Sequence, residues 1–270
     1  MLDQLTLAFL GTGQMGEAMI AGLLKERLLP PERIIATGRR SERVTELAER
    51  YGIRVTQDNR EAAHEADVVV FTVKPQSMAK LLPTLKGAVQ PGNLVISIVA
   101  GVAITAFRDA LDHNAVVRAM PNIPATIAQG MTVWTSTEAV TEAQHAQTRI
   151  ILGALGREHY EADEKYIDMA TALSGTGPAY VFLLLEAMVD AGVHLGFSRR
   201  VAEQLVLQTM AGATQFAMQS PMHLAELRNL VTSPGGTTAA ALRALERGGL
   251  RTVLADGIWA AYDRARELGK

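Results

Sequence analysis

The chain has 270 residues, 48% of them hydrophobic, enough for one large domain or two modest ones, each with its own core. Lys and Arg total 26 against 28 Asp and Glu, a net charge of −2, so the basic excess of an electrostatic nucleic-acid binder is missing. With 0 cysteines, disulfide scaffolds, thiolate zinc sites and cysteine nucleophiles are excluded. The start carries Asp3 and no basic segment, and so does not read as a signal peptide. The longest uncharged run, Gly87 to Phe107, contains Pro91, Gly92, Asn93 and Gly101, which suit a turn and a strand and not a membrane span. The expectation is a soluble, cytoplasmic globular protein with neither membrane nor nucleic-acid partner.

From Leu5 to about Tyr160, short β-branched runs alternate with helical segments. The expected strands are Leu5–Leu10, Arg33–Thr37, Ile53–Thr56, Val68–Val73, Leu94–Val99, Ala115–Ala119 and Met131–Thr135. Runs such as Val68-Val69-Val70-Phe71 are apolar on both faces, as in a parallel sheet covered by helices on both sides. Strand then helix, repeated, predicts a doubly wound α/β domain closed by a helix near Thr141–Leu152. After Asp163 the pattern is helical throughout. Pro178 opens a helix to about Leu195, with Gly196 as its stop, and Ser198 caps the next, to Met218. Pro221 opens a shorter one to Leu230, Thr237 or Thr238 opens one ending at Gly248-Gly249, and Leu250 to Leu268 forms the last. The expected domains are residues 1–162, α/β, and 163–270, all-helical.

Phe9-Leu10-Gly11-Thr12-Gly13-Gln14-Met15-Gly16 runs a strand into G-x-G-x-x-G and a helix over Glu17–Lys25. Gly11 permits the tight turn, Gly13 lets backbone approach a pyrophosphate, and Gly16 allows close helix–strand packing. The helix start offers free N–H groups to phosphates, with Thr12, Gln14 and Met15 in the loop. This predicts a Rossmann-like dinucleotide site; a glycine-rich turn without a ligand is the alternative. At the end of the second strand an NAD site usually carries Asp or Glu, but Ile34 to Arg40 contains no acid. The guanidiniums of Arg39 and Arg40 and the hydroxyls of Thr37 and Ser41 suit a 2′-phosphate, so NADPH is the expected coenzyme and NADH the alternative. The bland reading is a solvated arginine pair capping a helix start. Val73-Lys74-Pro75 and Ala100-Gly101, at the ends of the fourth and fifth strands, should face the same ligand, although Lys74 alone also suits a surface role. Met120-Pro121-Asn122 follows the sixth strand and could meet the nicotinamide.

The helical half adds two glycine-rich turns before helices, Ser174-Gly175-Thr176-Gly177-Pro178 and Ser233-Pro234-Gly235-Gly236-Thr237-Thr238. Each is a cap and turn, or an anion site for a small carboxylate. The 6 histidines are scattered without metal-ligand spacing, so no metal site is expected.

These motifs together, above all Ala172 to Tyr180 and Ser233 to Thr238, resemble those of the Δ1-pyrroline-5-carboxylate reductases over nearly the whole chain. The resemblance implies NAD(P)H-dependent reduction of the cyclic imine pyrroline-5-carboxylate to L-proline, the last step of proline biosynthesis. It implies a helical dimerisation domain that interleaves with a second chain, with dimers often assembled into decamers. It also places Asn59 against the adenosine part of the coenzyme. Hydride addition to a protonated C=N needs little acid–base help, which suits the absence of an obvious catalytic His or Lys. On this reading Thr238 is the catalytic hydroxyl at the ring nitrogen. The carboxylate falls to Ser233 and the N–H groups of Gly235, Gly236, Thr237 and Thr238, with Ser174 and Gly175 also at the substrate. Thr238 could instead only cap its helix. Two rivals remain: a β-hydroxyacid dehydrogenase, which needs a catalytic lysine where the chain offers only Lys165, and an NADP-sensing protein without turnover.

Overall fold

The computed structural model describes residues 2–268. Eight strands form one sheet: β1 (Leu7–Leu10), β2 (Ile34–Thr37), β3 (Arg54–Thr56), β4 (Val68–Phe71), β5 (Leu94–Ser97), β6 (Val116–Met120), β7 (Gly130–Ser136) and β8 (Gly156–Tyr160). Their order is β3-β2-β1-β4-β5-β6-β7-β8. All neighbours run parallel except β6 and β7. The helices of this part are α1 (Gln14–Lys25), α2 (Ser41–Tyr51), α3 (Asn59–Glu65), α4 (Pro75–Leu81), α5 (Ile104–Leu111) and α6 (Glu142–Gly153).

β1, β2, β4 and β5 are buried along their whole length, because helices cover both faces. One core joins Phe9, Ile34 and Val70 to Ile20 and Leu23 of α1 and Ile151 of α6. The other joins Leu10, Val69 and Phe71 to Ala63, Met78 and Phe107 of α3, α4 and α5. Phe71 meets Phe107 edge-on, with ring centres 5.1 Å apart. Strand order reverses between β1 and β4, and such a reversal opens a crevice beyond the carboxyl ends of the strands.

β8 is absent from the sequence expectation. Its Gly-Arg-Glu-His-Tyr sequence alternates half-buried and exposed residues at the sheet edge, so it lacks the apolar run that marks the central strands. Its place is fixed by tertiary contacts: the Trp134 indole donates to Glu158 at 2.5 Å, and the Tyr160 ring lies 4.7 Å from that of Trp134.

The chain continues through α7 (Lys165–Ala170), a π-helical turn (Thr171–Gly175), α8 (Gly177–His194), α9 (Arg199–Gln219), α10 (Leu224–Leu230), α11 (Thr237–Arg247) and α12 (Leu250–Leu268). Ser198 caps α9 by accepting the Val201 N–H, as its position predicts. Pro221 does not open α10; His223 caps it instead, accepting from Ala225 while Glu226 reaches back. By compactness, residues up to Pro178 and from Ala261 onward form one unit, and Ala179–Ala260 form another. The second unit has a small core, Val189, Ala202 and Val206, with Leu185, Met188 and Met210 against it. It leaves Phe182 at 59%, Leu195 at 82% and Trp259 at 63% exposed. One helical run, Lys165–His194, is long and apolar enough to cross a membrane by length and composition.

His113 is buried beside β6, its Nε2 2.8 Å from the Asn93 carbonyl. Burial disfavours the imidazolium and pushes its pKa below the usual 6.5. The unfolded chain therefore holds this proton more tightly, and the stabilisation present above about pH 6.5 is lost as pH falls toward the folded-state value. Glu17, held below the usual carboxylate value by Arg43 and Tyr51 against its own desolvation, acts only at lower pH. Thermal melts from pH 7.5 down to 5.5 should fall less steeply for His113→Gln than for the parent chain. Identical slopes would rule out His113 as the group responsible.

Candidate active site

The loop between β1 and α1 sorts its glycines by what surrounds them. Gly11 has φ +83°, and a Cβ there would come within 2.1 Å of the Val73 side chain. Only glycine fits. A Cβ on Gly16 would lie 2.7 Å from Thr72 Oγ1, so α1 packs closely past the end of β4. Gly13 instead faces open space within 4 Å, room through which a ligand can reach the backbone. Gly13 is the N-cap of α1, and the first bond of the helix runs from Glu17 N–H to Gly13 O at 2.9 Å. The N–H groups of Gln14, Met15 and Gly16 are thus left without partners among the described residues, and they point along the positive end of the helix dipole. Thr12 is buried, with its N–H on Thr37 O at 2.8 Å and its hydroxyl on Phe9 O at 3.4 Å.

Thr37, at the end of β2, is fully buried. Its hydroxyl accepts the Gly11 N–H at 3.0 Å and donates to Asn59 Oδ1 at 2.5 Å. Asn59 opens α3 and is brought to the glycine loop by this bond. Beyond Thr37, Arg39 and Arg40 are exposed, and their guanidiniums make no ion pair or hydrogen bond among the described residues. Nearby Arg43 and Arg50 are instead engaged by Glu17 and Glu46. Arg40 is the N-cap of α2 and Ser41 its first residue, with no side-chain cap. Two unpaired guanidiniums and a free helix start at this strand end match the requirements of a 2′-phosphate.

The β4 and β5 ends complete the rim. Lys74 is the exposed N-cap of α4, ahead of Pro75, and makes no ion pair among the described residues. Gly101 has φ +73°, and a Cβ there would lie 2.7 Å from Leu268 Cβ, so the end of α12 closes over the turn after Ala100. A cavity of about 690 Å³ lined by Leu24, Leu29, Arg50 and Tyr51 lies at the ends of α1 and α2 and includes none of these residues.

After β6, Asn122 spends both ends of its amide on the protein. Oδ1 accepts the Met131 N–H at 2.9 Å, while Nδ2 donates to the Ser174 carbonyl at 3.2 Å and hydroxyl at 3.3 Å. Gly175 sits so close to Met120 that a Cβ would come within 2.8 Å of its Cε. The structure therefore brings Met120, Asn122, Ser174 and Gly175 together. The segment is a π-helical turn, with Thr176 N–H and hydroxyl both donating to Thr171 O. Arg118 anchors it from below: the guanidinium is buried and pairs with Glu164 at 2.8 Å and Asp168 at 2.6 Å. Sequence reasoning offers the Thr37 hydroxyl to a 2′-phosphate, whereas the structure spends it on Gly11 and Asn59, and it does not single out the Arg118 cluster. No motif marks these contacts, because the partners lie tens of residues away.

In the second unit, Ser233-Pro234-Gly235-Gly236 forms a turn closed by Gly236 N–H to Ser233 O at 3.1 Å, with Gly235 at φ +70°. Pro then a positive-φ glycine is the type II arrangement. The Gly236 N–H is thereby consumed. Gly236 is also the N-cap of α11, without a side-chain cap. The N–H groups of Thr237, Thr238 and Ala239 are left free among the described residues. Thr238 is thus the second residue of the helix and not its cap. It is half-buried, Thr237 is exposed, and neither hydroxyl has a partner among the described residues.

Residues 164–268 match the model of the pyrroline-5-carboxylate reductase dimerisation family, and residues 6–101 that of the coenzyme F420-dependent NADP oxidoreductases. The chain is 40% identical over 264 residues to the pyrroline-5-carboxylate reductase of Synechocystis sp., covering 98% of each. It is likewise 40% identical over 265 residues to that of Pseudomonas aeruginosa, covering 98% of this chain and 97% of the relative. The crystal structure of Plasmodium falciparum pyrroline carboxylate reductase with NADP bound superposes with a TM-score of 0.91 at 30% identity, covering 99% of both chains. Agreement at this level over the full length, in both the glycine-loop domain and the helical one, makes the chain a member of the pyrroline-5-carboxylate reductase family, NAD(P)-dependent oxidoreductases.

Proposed function

We infer that this chain reduces 1-pyrroline-5-carboxylate to L-proline, the last step of proline biosynthesis, with NADPH as coenzyme and NADH as the weaker alternative. The observation that carries the residue assignment is the start of α11, where three free N–H groups stand beside an unpaired, half-buried hydroxyl. The substrate carboxylate suits the Thr237 and Thr238 N–H groups and the helix dipole, with Ser233 and Gly235 shaping the turn. The protonated ring nitrogen donates to Thr238 Oγ1, which holds the electrophilic carbon in one orientation. When bound, NADPH supplies a hydride to that carbon, and the C=N π electrons pass to nitrogen to leave the neutral amine. No side chain has to move a proton in this step. Gln14, Met15 and Gly16 hold the pyrophosphate through their N–H groups, and Arg39, Arg40 and Ser41 hold the 2′-phosphate. Ser174 and Gly175 are assigned to the substrate end of the first unit, positioned by Asn122.

Steady-state oxidation of NADPH by the purified protein with pyrroline-5-carboxylate tests the reaction itself. Coenzyme binding without turnover would instead favour a sensor. Thr238→Ala should fold and bind NADPH normally, because Thr238 caps nothing. Losing one hydrogen bond to a charged group, roughly 1.5–3 kcal/mol, should lower kcat/KM about ten- to a hundredfold. A near-parental kcat/KM would remove Thr238 from the reaction.

The unpaired arginines favour NADPH. In the double variant Arg39→Ala with Arg40→Ala, KM for NADPH should rise far more than KM for NADH. Equal changes would return the pair to a solvated role.

We assign the exposed apolar faces of α8, α9 and α12 to a second copy of the chain, with dimers able to assemble into decamers, and not to lipid. The reading supposes a cytoplasmic enzyme. Light scattering at low micromolar concentration should give a dimer or a multiple of it without detergent. An active, stable monomer would sink the assignment.

A further inference from the structure

Thr37 makes three contacts toward the coenzyme loop and α3 and makes them from a fully buried position. Its carbonyl accepts Thr12 N–H at 2.8 Å, and its hydroxyl oxygen accepts Gly11 N–H at 3.0 Å. A threonine hydroxyl carries one proton, and here Asn59 Oδ1, 2.5 Å away, takes it. That donation decides which way the Asn59 amide faces. Its oxygen is committed to Thr37, so Nδ2 and its two hydrogens are left on the other side, without a partner among the described residues and half-buried. A β-branched side chain at the end of a buried strand has few rotamers to choose from, so the orientation is firmly held. The end of the second strand of such a sheet is also where the adenosine half of a dinucleotide lies.

We propose that Thr37 is a positioning residue of the coenzyme site: its hydroxyl orients the Asn59 side chain so that Nδ2 donates to an acceptor on the adenosine half of the dinucleotide. The proposal rests on the reading that the glycine loop binds NADPH. It gives Thr37 a role unlike that of Arg39 and Arg40, because its effect does not depend on the 2′-phosphate. NADPH and NADH should feel its loss alike.

The test is titration of the full-length protein with NADPH and with NADH, by energy transfer from protein fluorescence to the nicotinamide, together with steady-state kinetics. The variants are Thr37→Val, Thr37→Ser, Asn59→Ala and the double variant Thr37→Val with Asn59→Ala. Thr37→Val keeps the shape and removes the hydroxyl. It should raise Kd and KM about tenfold for both coenzymes by similar factors, with kcat and the KM for the imine within about twofold. Thr37→Ser should restore coenzyme binding. The double variant should fall well short of the product of the two single losses, because the Thr37 and Asn59 side chains act through one shared bond and only the Gly11 contact of Thr37 is independent of it.

Thr37→Val that melts earlier but binds both coenzymes at the parental Kd, while Asn59→Ala weakens them, would overturn the positioning role and leave the coenzyme reading standing. Losses that simply add in the double variant would overturn it as well. Failure of the parent protein to bind either coenzyme would overturn the coenzyme reading, and the proposal with it. Should Thr37→Val not fold, Thr37→Ala against Thr37→Ser gives the same comparison: binding lost without the hydroxyl and regained with it, or the proposal fails.

Discussion

A buried guanidinium ties the sheet to the starts of two helices. Arg118, in the middle of β6, has one nitrogen on Glu164 and another on Asp168, at the two sides of the start of α7. Glu164 also accepts the Ile104 N–H that opens α5. A strand and two helix starts are therefore fixed by one set of charges. Nε remains buried without a partner among the described residues, a tolerated defect costing roughly 1–3 kcal/mol. Such a cluster adds little net stability over a well-packed apolar one, but losing one member costs on the order of 3–5 kcal/mol. Its value is in placement. α7 leads directly into the π-helical turn, and the residue that grips that turn, Asn122, lies just past the end of the strand that carries Arg118.

Sequence pattern revealed what is local. Continuous apolar runs marked the central strands, because both of their faces are covered, and glycine spacing marked the dinucleotide loop, because its three glycines fall within six consecutive residues, although the side chains that crowd Gly11 and Gly16 come from the distant Val73 and Thr72. The long helices after Pro178 announced their ends through Ser198 and Gly196. What stayed hidden depends on distance along the chain. β8 has a polar edge sequence and owes its place to Trp134 and Tyr160. Thr37 reads as a hydroxyl for a 2′-phosphate until folding brings it against Gly11 and Asn59. Asn122 sits in a motif that suggests ligand contact, yet both ends of its amide serve the protein. The Ser174-Gly175 turn reads as a loop, whereas Thr176 winds it into one wide helical turn on Thr171 O.

The helical part carries a different constraint. Val189, Ala202 and Val206 are the buried residues of its core, and a 21-residue helix, α9, buries only Ala202 and Val206. Gly192 makes even this packing possible, since a Cβ there would come 2.9 Å from the Ala202 methyl. So little burial cannot offset the entropy of ordering these helices. Membership of a dimerisation family supplies the missing apolar contact. The 165–194 run shares this exposure: only 11% of its apolar 18-residue stretch is buried within one chain.

The glycine loop is held in shape by contacts within the protein. Gly11 and Thr12 are bonded to Thr37, and Val73 lies so close to Gly11 that no side chain fits there. An incoming dinucleotide therefore orders little backbone, and less of its contact energy is lost to immobilising the protein. Its arrival becomes a question of encounter. Arg39, Arg40 and Lys74 stand without ion-pair partners among the described residues near the ends of β2 and β4, on a chain of net charge −2, a local positive field on a nearly neutral body. Charges spaced like this act over a Debye length of about 8–10 Å. Added salt therefore slows capture of the polyanionic coenzyme, while the preformed N–H cradle keeps its grip once the phosphates are seated.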